Sequence, residues 1–271
     1  MKNKKLAIIL IIFGFLTLLV VLGSTVFTTS SVQVNWLTST NVFSTADNAG
    51  IVESGEFQSN QSIFLVNKPQ YIDRLEKNNP YLKVVNIETV FPNKLVLHVA
   101  EREVLYALKV TNQEAQSGYS YVLLDDECKV LEKSTATILP GTTTPIVLEV
   151  NNVSLTDLNF TVGEVASELL VNNTLLQFSQ ALKQLGYNNL QARALVKNLV
   201  LTVGTRLELH VLTNWGIAIS VEDASNLLFQ KLHLGISVFG QYHDANPPVN
   251  SGTIVVYQTQ SGTVEAGYIP S

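Results

Sequence analysis

The first long pattern in the chain has no polar period. Residues Leu6 to Phe27 read LAIILIIFGFLTLLVVLGSTVF, without a charge and with Thr17, Ser24 and Thr25 as the only hydroxyls. At 1.5 Å per residue, a helix of this length spans about 33 Å, enough for the hydrocarbon core of a bilayer. Buried core helices seldom run this far without a polar face. A cleaved signal peptide has a shorter apolar region ending at a small-residue A-x-A site, and none follows here. The pattern predicts a retained transmembrane helix over 6–27. Lys2, Lys4 and Lys5 precede it, and the next Lys or Arg is Lys68. This asymmetry predicts residues 1–5 as a cytoplasmic tail and residues 28–271 outside, a single-pass protein of the cytoplasmic membrane.

Beyond the run the period shortens to two. Val32–Leu37 alternates apolar and polar residues, which predicts a half-buried strand. Residues 38–62 are polar, with Val42, Phe43, Ile51 and Val52 spaced for a short helix. Asn67-Lys68-Pro69 opens a second helix with Tyr71, Ile72 and Leu75 on its apolar face, and Asn78-Asn79-Pro80 stops it. Strands follow at Tyr81–Glu88 and Lys94–Ala100, joined by the turn Phe91-Pro92-Asn93. The order is strand, helix, helix, strand, strand. Further on, Tyr119–Leu124 and Lys129–Leu131 flank Asp125-Asp126-Glu127-Cys128 as a hairpin, and Ile146–Val150 predicts a strand. A long helix is predicted over Val162–Leu185, closed by Gly186. Strands are predicted at Leu199–Val203, Leu207–Leu212 and Ile217–Val221. A helix from Asp223 to Phe239, N-capped by Asp223 or Ser225, and a last hairpin, Thr253–Gln258 with Thr263–Tyr268, complete the chain. The fold class is α+β: a single transmembrane helix, a βααββ domain, then a mixed α/β domain with a multi-stranded antiparallel sheet.

Composition changes this picture in two places. Apolar residues make up 46% and charged residues 14%, against about 25% charged in ordinary chains, which excludes disorder as the dominant state. The net charge of −5 is the wrong sign for a nucleic-acid binder. Removing the three lysines of the acid-free segment 1–27 from that total leaves −8 for the outer part, which disfavours a peripheral module held on anionic lipid.

Candidate chemistry is sparse. There is no G-x-S-x-G, S-x-x-K, K-T-G or H-E-x-x-H and no Gly-rich phosphate loop. His98 falls on the polar face of its strand, and no ligand set is spaced around it. Asp125-Asp126-Glu127 reads as a solvated turn, too short for a calcium loop. Cys128, the one cysteine, reads as a small buried hydrophobe. No catalytic, cofactor-binding or metal site is expected.

A family pattern lies over Leu75 to Tyr106: L-x-x-x-x-P-Y-L-x-V-V-x-I, then Phe91-Pro92-Asn93-Lys94-Leu95, then a strand closing with Glu101-Arg102-Glu103. With the preceding elements from Val32, it resembles the membrane-proximal POTRA domain of the FtsQ/DivIB cell-division proteins. Pro80, Pro92, Glu101 and Arg102 are the motif positions, and Ala107 matches as well. Val104 stands where that family often has proline. Tyr121–Asp125 followed by Lys129–Leu131 is similar to the family's D-x-x-G-x-V hairpin, with Cys128 in the glycine's place, and Leu139-Pro140 is similar to the short motif after it. Near the C-terminus, Ile254-Val255-Val256-Tyr257 lacks the Asp and Arg of the family's closing strand.

The resemblance implies a POTRA domain over 28–105 and a β domain over 106–271. It implies a non-enzymatic bitopic scaffold at the division septum, without a cofactor, that binds FtsL-like and FtsB/DivIC-like partners. In similar proteins the last strands accept a partner strand at the sheet edge. Here that role falls to Ile254, Val255, Val256, Tyr257, Thr259, Ser261, Gly262, Val264 and Tyr268. The physics agrees, because an edge strand offers unpaired N–H and C=O groups, and Thr253–Tyr268 carries one charge, Glu265. Two other functions fit parts of the pattern. A POTRA-bearing polypeptide-transport factor would come with tandem POTRA units or a barrel. A membrane-anchored enzyme would need a polar constellation in the second domain.

Overall fold

The computed structural model describes residues 10–18, 21, 26–38, 43–59, 61–110, 120–135, 144–156, 160–245 and 247–271. Residues 10–18 and 21 are helical, with exposed side chains. Leu6 and the rest of the apolar run up to residue 25 lie outside the described residues, as do Val42 and the Leu139-Pro140 motif. Among the described residues no helix is long and apolar enough to cross a membrane. The chain divides into two compact units, Met1–Arg102 and Glu103–Ser271.

The first unit holds β1 (Ser31–Trp36), α1 (Asn48–Ser54), α2 (Lys68–Asn78), β2 (Leu82–Val90) and β3 (Lys94–Glu101). This is the βααββ order expected from the sequence. The sheet runs β1-β3-β2, with β1 parallel and β2 antiparallel to the central β3. Leu95, Leu97 and Val99 alternate along β3 and are buried, the period-2 pattern of a strand with one covered face. Ile51 of α1 and Tyr71 and Leu75 of α2 join the same core. The Asn67 side chain accepts from the Gln70 amide at the start of α2, satisfying one orphan donor of the first turn. At its end Asn79 Nδ2 donates to the Leu75 carbonyl at 2.9 Å.

Arg102, the last motif residue, is buried, and its Nη2 lies 2.8 Å from Glu76 Oε2. Its Nε donates to the Leu82 carbonyl, while Glu76 Oε1 accepts from the Val84 amide. The pair therefore ties α2 to β2 and to the end of β3. Removing either partner would strand a buried charge, at a cost of about 3–5 kcal/mol. Glu101 sits opposite Leu82 in the ladder. Pro80 follows α2 in the turn into β2, and Pro92 lies in the β2–β3 turn behind a cis peptide bond. His98 is engaged on the polar face, 2.8 Å from Glu88 and 3.0 Å from Asn35.

The second unit is built on one nine-stranded sheet. In chain order its elements are β4 (Tyr106–Lys109), β5 (Tyr121–Leu124), β6 (Val130–Ser134), β7 (Ile146–Asn151), α3 (Leu169–Gln184), α4 (Asn189–Leu195), β8 (Val196–Val203), β9 (Leu207–Thr213), β10 (Ile217–Val221), α5 (Leu228–His243), β11 (Gly252–Gln258) and β12 (Val264–Ile269). The strand order is β12-β11-β10-β9-β8-β7-β4-β5-β6.

Three expectations need correction here. The sheet is mixed rather than antiparallel: β4 with β7, β7 with β8, and β10 with β11 run parallel. Parallel neighbours need a crossover. The connection holding α3 and α4 provides it for β7 and β8, and α5 provides it for β10 and β11. The long helix begins at Leu169, about two turns later than expected. The preceding residues pair with the chain around β6: Gly163 N–H bonds the Val130 carbonyl, Ala166 N–H bonds the Cys128 carbonyl, and Lys129 bridges Val165. The last helix is capped by neither Asp223 nor Ser225. It starts at Leu228 after Leu227 at φ +52, and Asp223 instead accepts from Ser225 and Asn226.

Cys128 clarifies the departure in the hairpin. Its backbone has φ +61, the left-handed region that favours glycine. Its side chain is buried, and burial together with the nearby Asp125 pushes the thiol pKa up to about 12. The cysteine is thus a core side chain at a glycine-like backbone position, with almost no thiolate for chemistry.

Candidate partner-binding edge

An open sheet has two edges, and in the second unit they differ. At β6 the outer edge is occupied near its start by residues 163–166, through the amide–carbonyl bonds to Val130 and Cys128. The strand also carries Glu132 and Lys133. Charged side chains and a covering segment are two common means of blunting an edge. At β12, among the described residues, no strand pairs with the outer side, and Glu265 is its one charge.

The support for β12 comes from beneath. β11 lies between β10 and β12, so it is an interior strand. Ile254 and Val256 are completely buried in the core of the unit. They are packing positions, which takes them out of direct contact with any added strand. Val255 and Tyr257 point to the opposite face and are half-buried. α5 packs close over this end of the sheet: a Cβ on Gly235 would fall 2.7 Å from Ile219 Cγ2 and 3.1 Å from Val256 Cγ2.

Val264 and Tyr268 of β12 turn toward the same core. Tyr268 stacks on Tyr242 of α5 at 4.4 Å between centroids, and its hydroxyl donates to the Ser251 carbonyl. Gly252 makes room for that ring: its φ is +117 and a Cβ would lie 2.6 Å from the Tyr268 oxygen. Across the hairpin the Tyr257 hydroxyl donates to Glu265, whose carboxylate raises the tyrosine pKa. Thr259, Ser261 and Gly262 form the exposed turn. Thr259 N–H bonds the Thr263 carbonyl, and Gly262 adopts φ +88. The hairpin is therefore held on its inner side by packing and leaves the outer rim of β12 to solvent.

Lys231 was missed by sequence reasoning. It is buried in α5, and its Nζ donates to the carbonyls of Glu222 and Asp223 at 2.7 and 2.8 Å. Desolvation lowers its pKa. These bonds fasten α5 to the end of β10, and the register of α5 sets the floor under β11. One lysine in a Leu-rich helix gives no such signal in the sequence.

A second edge exists in the first unit. Its β1 strand borders a groove of about 500 Å³ lined by Val32, Gln33, Val34, Asn48, Ala49 and Val52. Among the described residues no group of His, Cys, Asp or Glu could hold a metal ion.

Residues 43–102 match the family model for the POTRA domain, FtsQ-type. A stretch of 62 residues is 39% identical to the cell division protein DivIB of Clostridium botulinum, covering 23% of this chain. The chain thus spans 24% of that relative's length in the match. Over this stretch the chain is similar to the FtsQ-type POTRA domain and to DivIB.

Proposed function

We propose that this protein is a membrane-anchored scaffold of the bacterial division machinery. In this reading residues 6–27 cross the cytoplasmic membrane once, the N-terminus lies inside, and both folded units lie outside. The outer rim of β12 accepts an extended segment of an FtsL-like or FtsB/DivIC-like partner as a tenth strand. The observation that carries the reading is the contrast between the two sheet edges: one is occupied at its start by the protein's own chain, and the other has a single charge and no strand outside it among the described residues. Main-chain hydrogen bonds would supply affinity, and the side chains flanking the rim would supply register. Anchoring adds to this by confining both proteins to one surface, which raises their effective concentration.

The test is photo-cross-linking in living, dividing cells from a reactive residue placed at Glu265. That position is exposed and on β12. A division protein with a single transmembrane helix is the expected product, and a fluorescent fusion of the same chain is expected to gather at midcell. Uniform membrane fluorescence would refute the division role. Midcell gathering without a cross-link at β12 would refute the edge alone.

A further inference from the structure

We infer that the chain-entry end of the first unit rests on the lipid surface through an aromatic cluster made by Phe27, Phe64, Leu65 and Phe91. The inference builds on the reading of residues 6–27 as a membrane span and adds a second contact between protein and bilayer.

The cluster joins three separate stretches of chain. Phe27 lies 5.5 Å from Phe64 and 6.3 Å from Phe91, and Phe64 lies 5.6 Å from Phe91, between ring centroids. Such rings usually close a core. Here Phe64 is 62% exposed, Leu65 74% and Phe91 60%. Phe64 and Phe91, exposed and in ring contact with each other and with the half-buried Phe27, and the neighbouring exposed Leu65 form a patch that needs a partner.

Continuity with the apolar run identifies that partner. The exit segment is sewn into the domain at this end. Ile63 N–H bonds the Phe27 carbonyl, Thr29 N–H bonds the Gln61 carbonyl, and Ser30 N–H bonds the Asn93 carbonyl. Thr28 bridges Ser62, and Ser31 starts β1 opposite Lys94. A chain leaving the bilayer at Phe27 is therefore already fixed to the loops that carry Phe64 and Phe91. No free linker separates the cluster from the membrane surface. Aromatic residues collect at that depth, where an apolar body meets headgroups.

The three stretches that build this end, 26–46, 57–72 and 89–100, contain no Asp or Glu and contribute Lys68 and Lys94. Glu53 and Glu56 of the intervening chain line a pocket with Thr29, Ser30 and Phe57, so it is the aromatic cluster and its continuity with the apolar run, not charge, that carry the inference.

The test uses the full chain reconstituted in vesicles of phosphatidylethanolamine and phosphatidylglycerol. Spin labels are placed singly by Leu16→Cys, Leu65→Cys and Leu37→Cys. Leu37 is the control, an exposed leucine at the far end of β1. Buried Cys128 does not compete for the label. Power saturation compares collisions with oxygen, which enters lipid, and with a water-soluble nickel chelate. The oxygen-to-nickel ratio at Leu65→Cys is expected to exceed that at Leu37→Cys several-fold, and to fall back when Phe64→Ser and Phe91→Ser are added. A lipid signal at Leu16→Cys with a water signal at Leu65→Cys would overturn the surface contact and leave the span standing. A water signal at Leu16→Cys would overturn the span and the contact together.

Discussion

β6 and β12 close the same sheet at opposite ends, and each end is finished differently. Around β6 the chain returns after residue 160 and occupies the start of the edge with its own amides, and Glu132 and Lys133 sit on the strand. Beyond β12 no described segment returns. Ile254, Val256 and Tyr268 hold the hairpin from below, and among the described residues its rim is uncovered. An edge with a single charge and no covering strand among the described residues is a liability for aggregation. In the proposed reading, the difference between the two edges is why β12 is the one that receives a partner.

The strongest way to break this contrast is to remove the support under β12. Ile254→Ala deletes buried methyl groups beneath the hairpin and is expected to lower the unfolding free energy by about 3 kcal/mol. Denaturant titration would read this, and partner capture would fall with it because the edge loses its order. A change below about 0.5 kcal/mol would show that the hairpin does not depend on the core.

A change on the sheet face next to the rim should separate binding from folding. Tyr257 is half-buried on the face opposite the core and bonds Glu265 across the hairpin. Tyr257→Lys is expected to leave stability within about 0.5 kcal/mol and to weaken capture of a partner segment about tenfold, or about 1.4 kcal/mol. Isothermal titration beside thermal melting distinguishes the two. Val256→Lys is not informative here, since it buries a charge in the core and unfolds the support instead.

The smallest effect belongs to the other edge. Lys133→Ala on β6 is expected to leave partner affinity unchanged within about twofold, about 0.4 kcal/mol. A loss as large as that of Tyr257→Lys would mean that both edges bind and would erase the distinction.

The first unit was the more legible of the two in the sequence. Its strands and helices follow their periodicities closely, because each has one face on a small core and polar residues on the other. Even the N-cap at Asn67 and the stop at Asn79-Pro80 are local signals. The reason for Arg102 was not local: its partner Glu76 lies on α2, and only the packing of α2 against β2 brings the two together. In the second unit the sequence pattern does not reveal β4 or α4. β4 is four residues long and buried throughout its first three positions, so it shows no alternation. α4 is two turns of mixed residues capped by Asn188 and Gln191, below the length at which a periodic stripe emerges.

Hydrophobic pattern alone determined that this chain has a 22-residue apolar run, a βααββ unit and a final hairpin with a single charge. Those are properties of neighbours in sequence, set by side-chain period and by turn residues. Tertiary structure decided which strand is an edge. Strand order depends on crossovers such as α5, which place β11 inside and β12 outside, and periodicity does not encode the order of pairing. The same holds for the aromatic cluster. Phe27, Phe64 and Phe91 are ordinary apolar letters in three distant stretches, and they become one exposed surface only because backbone pairing draws those stretches to the point where the chain enters the domain.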